Sequence, residues 1–170
     1  MMSGGMMSEG MIHVEQFRAE HLAAIAVQPG QAQDWPDTAE LHARAAAFAL
    51  QEHGQSFIAD DGAVIACFGM IASHAQHLTA WSVLSALSVS QLRFATRWCR
   101  AYLARLSVRR IDICVRGGFA PGHRWAALLG FGQEGVQRAF YPDGDDLHIW
   151  AQIDGRPFNS EGSAACPSCR

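Results

Sequence analysis

From Ser85 onward the chain runs through a helix, a strand, a second helix and a hairpin with short connections, and this succession constrains the fold most strongly. The first of these helices carries an apolar stripe of Leu92, Ala95, Cys99, Tyr102, Leu103 and Leu106 at helical spacing. In Arg110 to Val115, Ile111, Ile113 and Val115 alternate with smaller or polar residues, the period of a strand, and Gly117-Gly118 breaks it. Pro121 suits the first turn of a following helix that Gly130 closes. Two strands, Gln133 to Tyr141 and Leu147 to Ile153, then flank the turn Pro142-Asp143-Gly144. Strands alternating with helices at this spacing demand β-α-β crossovers and a sheet with some parallel pairing.

The first half supplies the remaining elements. Met11 to Gln16 reads as a strand, and Arg18 to Val27 as a helix through Leu22, Ile25 and Ala26, with Pro29-Gly30 as its stop. A second helix is expected from an N-cap at Asp37 or Thr38 to Gly54, with Leu41, Ala45, Phe48 and Glu52 along one face. Ser56 to Ala59 and Ala63 to Ser73 are strand segments, and Asp61-Gly62 between them favours a type I′ turn. His74 to His77 is a loop, and Leu78 to Leu84 the next strand. The expected architecture is α/β (α+β): a mixed, mostly antiparallel sheet of about six or seven strands with about four helices.

At 170 residues and 49% hydrophobic content the chain suits one domain, expected over residues 11–153 between a disordered leader, 1–10, and a flexible tail, 154–170. A net charge of −3 gives no bulk attraction to nucleic acid or anionic membrane. No apolar run of membrane-spanning length occurs, and the Met-rich start lacks the basic and apolar regions of a signal peptide, so a cytoplasmic protein is expected. Cys67, Cys99 and Cys114 sit in apolar segments and read as reduced, buried thiols. Cys166-Pro-Ser-Cys169 has the spacing of half a zinc site but no second pair, so no metal is expected.

The segment Ile111 to Ile153, above all His123-Arg-Trp-Ala-Ala-Leu-Leu-Gly-Phe131 followed by Glu134-Gly135 and Tyr141-Pro-Asp-Gly144, resembles the Gcn5-related N-acetyltransferase (GNAT) family. There a helix ending in Leu-Gly-Phe leads into the last hairpin, as Leu129-Gly130-Phe131 does here. More narrowly, Arg116 to Phe131, Glu134-Gly135 and Pro142-Asp-Gly-Asp-Asp146 are similar to GNAT-like proteins of tailed phages, including an internal virion protein family of short-tailed phages.

The resemblance implies an acetyl-CoA-dependent N-acetyltransferase acting on an amine acceptor. Acetyl-CoA would lie between two splayed parallel central strands, here Leu78 to Leu84 and Arg110 to Val115, with its pantetheine pairing like an added strand with Ser82, Val83 and Leu84. The family's glycine-rich pyrophosphate loop at a helix N-terminus corresponds to Ser85-Ala-Leu-Ser-Val-Ser-Gln-Leu-Arg93, where no glycine lies between Gly69 and Gly117. Ser88, Ser90 and Arg93 remain as candidate phosphate ligands. The tyrosine that many members place four residues before the glycine is Ala126 here, leaving His123 and, in the final hairpin, Tyr141 as candidate acids. By position, His74, His77 and Glu134 are candidate bases, and Trp35 a candidate for lining the acceptor site. The missing glycines and tyrosine keep a second reading open, a non-catalytic GNAT-shaped virion or protein-binding component. A homodimer through the edge of the final hairpin fits either reading.

Overall fold

The computed structural model describes residues 11–35, 39–51 and 53–158, with side chains except at 40–42. The expected leader, the Asp37/Thr38 cap, the contributions of Leu41 and Glu52, and Cys166-Cys169 lie outside the described residues. The described residues form eight strands and five helices, in the order β1 (Ile12–Gln16), α1 (Ala19–Ala24), α2 (Pro29–Ala32), α3 (Ala39–Ala49), β2 (Gln55–Ala59), β3 (Val64–His74), β4 (His77–Leu84), α4 (Val89–Leu103), β5 (Arg110–Arg116), α5 (Ala120–Leu129), β6 (Gly132–Gln137), β7 (Leu147–Ile153) and β8 (Arg156–Pro157). The sheet runs β1-β2-β3-β4-β5-β7-β6, with β8 on β7. β4 and β5 pair in parallel, while β1–β2, β2–β3, β5–β7, β6–β7 and β7–β8 are antiparallel, so the expected mixed, mostly antiparallel architecture is the one observed, extended by α2 and β8.

The chain forms two compact units, one of residues up to Gly69 with Ser82–Arg93, the other of Met70–Trp81 with the chain from Phe94 onward. In the first, β1 pairs with β2 from Ile12↔Ala59 to Gln16↔Gln55, and β2 with β3. Phe17, Leu22, Ile25, Ala45, Phe57, Ile65, Cys67 and Val83 bury their side chains there. The β2–β3 turn departs from type I′, which needs positive φ at two central residues. Only Gly62 has it, at 83°, while its N–H donates to Ala59 O and Ala59 N–H to Ala63 O. That is a three-residue loop, tightened by Asp61 Oδ1 accepting from Ala63 N–H. Pro29-Gly30 also does more than stop a helix. Pro29, with its fixed φ and no N–H to lose, opens the short α2.

In the second unit β5 pairs with β7 along its whole length, Arg110↔Ile153 to Arg116↔Leu147, and β7 with β6. Leu78, Ala95, Cys99, Ile111, Val115, Ala126, Leu129, Phe131 and Ala151 form its core. Gly130 closes α5 in the left-handed conformation, φ 90°, and Phe131 N–H reaches back to Ala126 O before its ring enters that core. The predicted strand from Gln133 to Tyr141 ends at Gln137, because Ala139 takes φ 49° and its N–H turns to Asp146 Oδ1. Past Ile153 the chain folds back as β8, and a Cβ on Gly132 would stand 1.9 Å from Phe158 O.

Candidate functional site

In the first unit the end of β4 and the start of α4 carry Ser82, Val83, Leu84, Ser88, Ser90 and Arg93. Ser85 N–H donates to Ile65 O of β3. Because the polar groups of successive strand residues point to alternate edges, Ser82 and Leu84 turn theirs away from β3. That edge is occupied from within the chain. Gln31 Nε2 donates to Ser82 O at 2.9 Å, Leu84 N–H donates to Gln31 Oε1 at 3.0 Å, and Gln28 N–H donates to Leu84 O at 2.9 Å. Val83, fully buried, is a packing residue.

Beyond Leu84 the α4 N-terminus carries a reciprocal cap: Gln91 N–H donates to Ser88 Oγ at 3.2 Å, and Ser88 N–H to Gln91 Oε1 at 2.8 Å. The Ser88 and Ser90 hydroxyls lie 3.1 Å apart. Side chains of the helix itself thus occupy donors that a bound anion would use. Arg93 is exposed one turn in. Trp35 packs edge-on against Phe48 with the Arg44 guanidinium over its ring.

The second unit brings His77 and Asp112 together. His77 opens β4, registered with Arg110, and Thr79 is registered with Asp112. His77 Nε2 contacts Asp112 Oδ1, both side chains being partly buried. An ionised carboxylate only accepts, so the Nε2 proton points at it and Nδ1 keeps its lone pair. Arg110 extends the row, with Nη1 donating to Glu134 Oε1 at 3.0 Å, a second bond to Glu134 Oε2, and Nη2 3.7 Å from Asp112 Oδ2. The hydrogen bond from Arg110 holds the Glu134 carboxyl below its ordinary range, which makes Glu134 a weak base. His74 instead sits edge-on to His77, its Nδ1 accepting from Gln76 N–H.

His123 of α5 has both ring nitrogens engaged. Trp150 Nε1–H donates to Nδ1 at 3.2 Å, which leaves the proton on Nε2, 3.1 Å from Gly117 O. Its ring also lies 4.7 Å from that of His148. His148 and Trp150 share a sheet face with Val115 and Ile113, and α5 covers it. Arg110 and Asp112 alternate with these, so the His77–Asp112 row stands on the opposite face of the sheet. Tyr141 packs its ring under the Arg116 guanidinium, 3.7 Å from the centroid. Arg116, 8% exposed, also donates to both oxygens of Asp143 and approaches Asp145, whose Oδ2 accepts from Gly118 N–H. The hydrogen bond from Asp145 N–H and then Arg116 keep the Asp143 carboxyl low, and this clasp fixes the β6–β7 loop to the end of β5.

Sequence reasoning placed His77 by position but missed its partners. Asp112, the only acid in β5, was a usable signal. Gln31 gave none, because its role follows from how α2 folds.

No protein-family model and no curated protein matches the chain. Solved structures do. A GNAT superfamily phosphinothricin acetyltransferase from Sinorhizobium meliloti, in complex with AcCoA, superposes with TM-score 0.61 at 18% identity, covering 92% of this chain and 93% of that one. Ard1 from Thermoplasma volcanium gives 0.67 at 11%, covering 84% and 97%. An N-acetyltransferase from Staphylococcus aureus Mu50 gives 0.61 at 13%, covering 86% and 99%. At such identities likeness speaks for architecture, and the architecture of this chain is the GNAT fold.

Proposed function

We propose that the chain is an N-acetyltransferase that takes its acetyl group from acetyl-CoA. The observation that carries this reading is the β4 edge at Ser82–Leu84, turned away from β3 and already holding a carboxamide through one C=O and one N–H. Such an edge suits the amide-bearing arm of acetyl-CoA, and the phosphinothricin acetyltransferase of like fold was crystallised with that molecule. The phosphate end fits less well. With no glycine in the loop and Ser88 and Gln91 capping α4, Arg93 is the group left to meet the phosphates.

Acetyl-CoA supplies an activated thioester. The amine forms the N–C bond, the C–S bond breaks, the amine proton goes to a base and the thiolate takes a proton from solvent. His123 acts as a fastener between α5 and β7, since its nitrogens are engaged. Tyr141 belongs to the Arg116 clasp.

A second reading, a GNAT-shaped scaffold such as the phage virion proteins of the narrower resemblance, is favoured by the self-capped α4. Calorimetric titration with acetyl-CoA and CoA separates the two, followed by thiol release over a panel of amines. Saturable micromolar binding, weakened by Arg93→Ala, and acetyl-CoA-dependent thiol release with at least one amine support the enzyme. No heat at millimolar ligand overturns it in favour of the scaffold.

A further inference from the structure

Gln31 behaves as a residue of a neighbouring strand without being in one. Its carboxamide offers the β4 edge one donor and one acceptor, to Ser82 O and Leu84 N–H, as a backbone amide of a paired strand would. Its orientation is fixed by its partners, because Oε1 faces two donors, Leu84 N–H and Gln28 Nε2. Gln28 completes the imitation by donating its own N–H to Leu84 O. The device hangs on α2, four residues long and with no buried side chain. Few contacts hold such an element, and few need be lost for it to move.

We infer that Gln31 is a built-in occupant of the amide-binding edge of β4, and that α2 is a latch which an extended, amide-bearing ligand displaces. This rests on the reading of that edge as the seat of the acetyl-CoA arm and adds its regulation. The latch is isosteric with what it excludes: a carboxamide takes the two bonds of an incoming amide, so Ser82 O and Leu84 N–H are paired in the closed and the liganded edge alike. A ligand that binds only the open form has its affinity reduced by the open fraction, and removing the occupant restores it.

Acetyl-CoA is titrated calorimetrically into the wild type, Gln31→Ala and Gln31→Leu, the last keeping the bulk of α2 while deleting both polar atoms. Both variants are expected to bind about five- to tenfold more tightly, as for an edge open roughly one-tenth to one-fifth of the time. Without ligand, the Leu84 amide is expected to exchange with solvent faster in both variants than in the wild type. In the wild type, the Gln31 side-chain NH₂ resonances should shift to solvent-exposed positions as acetyl-CoA saturates. Folded variants whose affinity is unchanged or weaker overturn the latch while leaving the acetyl-CoA reading intact. Absence of binding by all three proteins overturns that reading, and the latch with it.

Discussion

His21 shows how one residue sets a condition on the fold. It is 5% exposed, its Nδ1 2.8 Å from Ser56 Oγ, with Cys67 Sγ 3.6 Å beyond the same hydroxyl. Glu15 stands 4.0 Å from Nε2, so the constellation imitates a Ser-His-acid triad, but Ser56 is completely buried and no substrate can reach it. Burial and then the Arg18 charge push the His21 pKa below its ordinary 6.5 in the folded state. The unfolded chain therefore binds this proton more readily. Stability from His21 is fully present above pH 6.5 and is lost as pH falls from there through the lower folded value. Urea unfolding between pH 7.5 and 5 checks this against His21→Gln, which should flatten the slope in that window. A core truncation works differently: Phe57→Ala, at 1% exposure, should cost about 3–5 kcal/mol with no pH dependence. Core positions such as Ala95, Cys99 and Ile111 were readable from periodicity. The pairing of Asp112 with His77 and the bonds of Gln31 were not, because a period states which face a residue occupies and never which partner it finds across a sheet or a loop.

At the scale of elements, the readable parts were those whose ends carry local chemistry. Leu129-Gly130-Phe131 marked the end of α5, since only a residue tolerant of positive φ closes a helix that way. Two elements escaped. Proline and glycine at 29–30 signal both the end of one helix and the first turn of another, and β8 exists through its pairing with β7, a long-range contact with no local signature. Ser88→Ala should cost about 1 kcal/mol by removing the acceptor for Gln91 N–H, while Ser88→Asp, which keeps an acceptor, should cost less. Thermal denaturation reads both. Gly132→Ala should act on β8 alone, because its Cβ would strike Phe158 backbone. Exchange of the Phe158 amide, bonded to Ala151 O at 2.9 Å, should accelerate while β5 and β7 stay protected.

For the whole molecule, the order of elements was legible because each β-α-β step leaves its own periodicity, whereas the expected chemistry came only through resemblance, and there this chain departs from the glycine loop and tyrosine of the family it resembles. Those departures make a measurable claim about how binding couples to stability. If acetyl-CoA engages the native state alone, ligand at 100 times Kd adds about 2.7 kcal/mol to unfolding, roughly 5–10 °C in Tm for a chain of 170 residues. The β4 edge offers uncharged amide bonds, whereas α4 caps its own N-terminus and the loop lacks glycine, so the arm should carry more of that shift than the phosphates. Acetyl-pantetheine should then retain at least about half of the Tm gain given by acetyl-CoA, each at 100 times the acetyl-CoA Kd, and raising salt from about 0.1 to 0.5 M should weaken acetyl-CoA less than about threefold. A steep salt dependence, together with no shift from acetyl-pantetheine, would instead place the binding energy on the phosphates, and Arg93→Ala would then abolish the shift altogether.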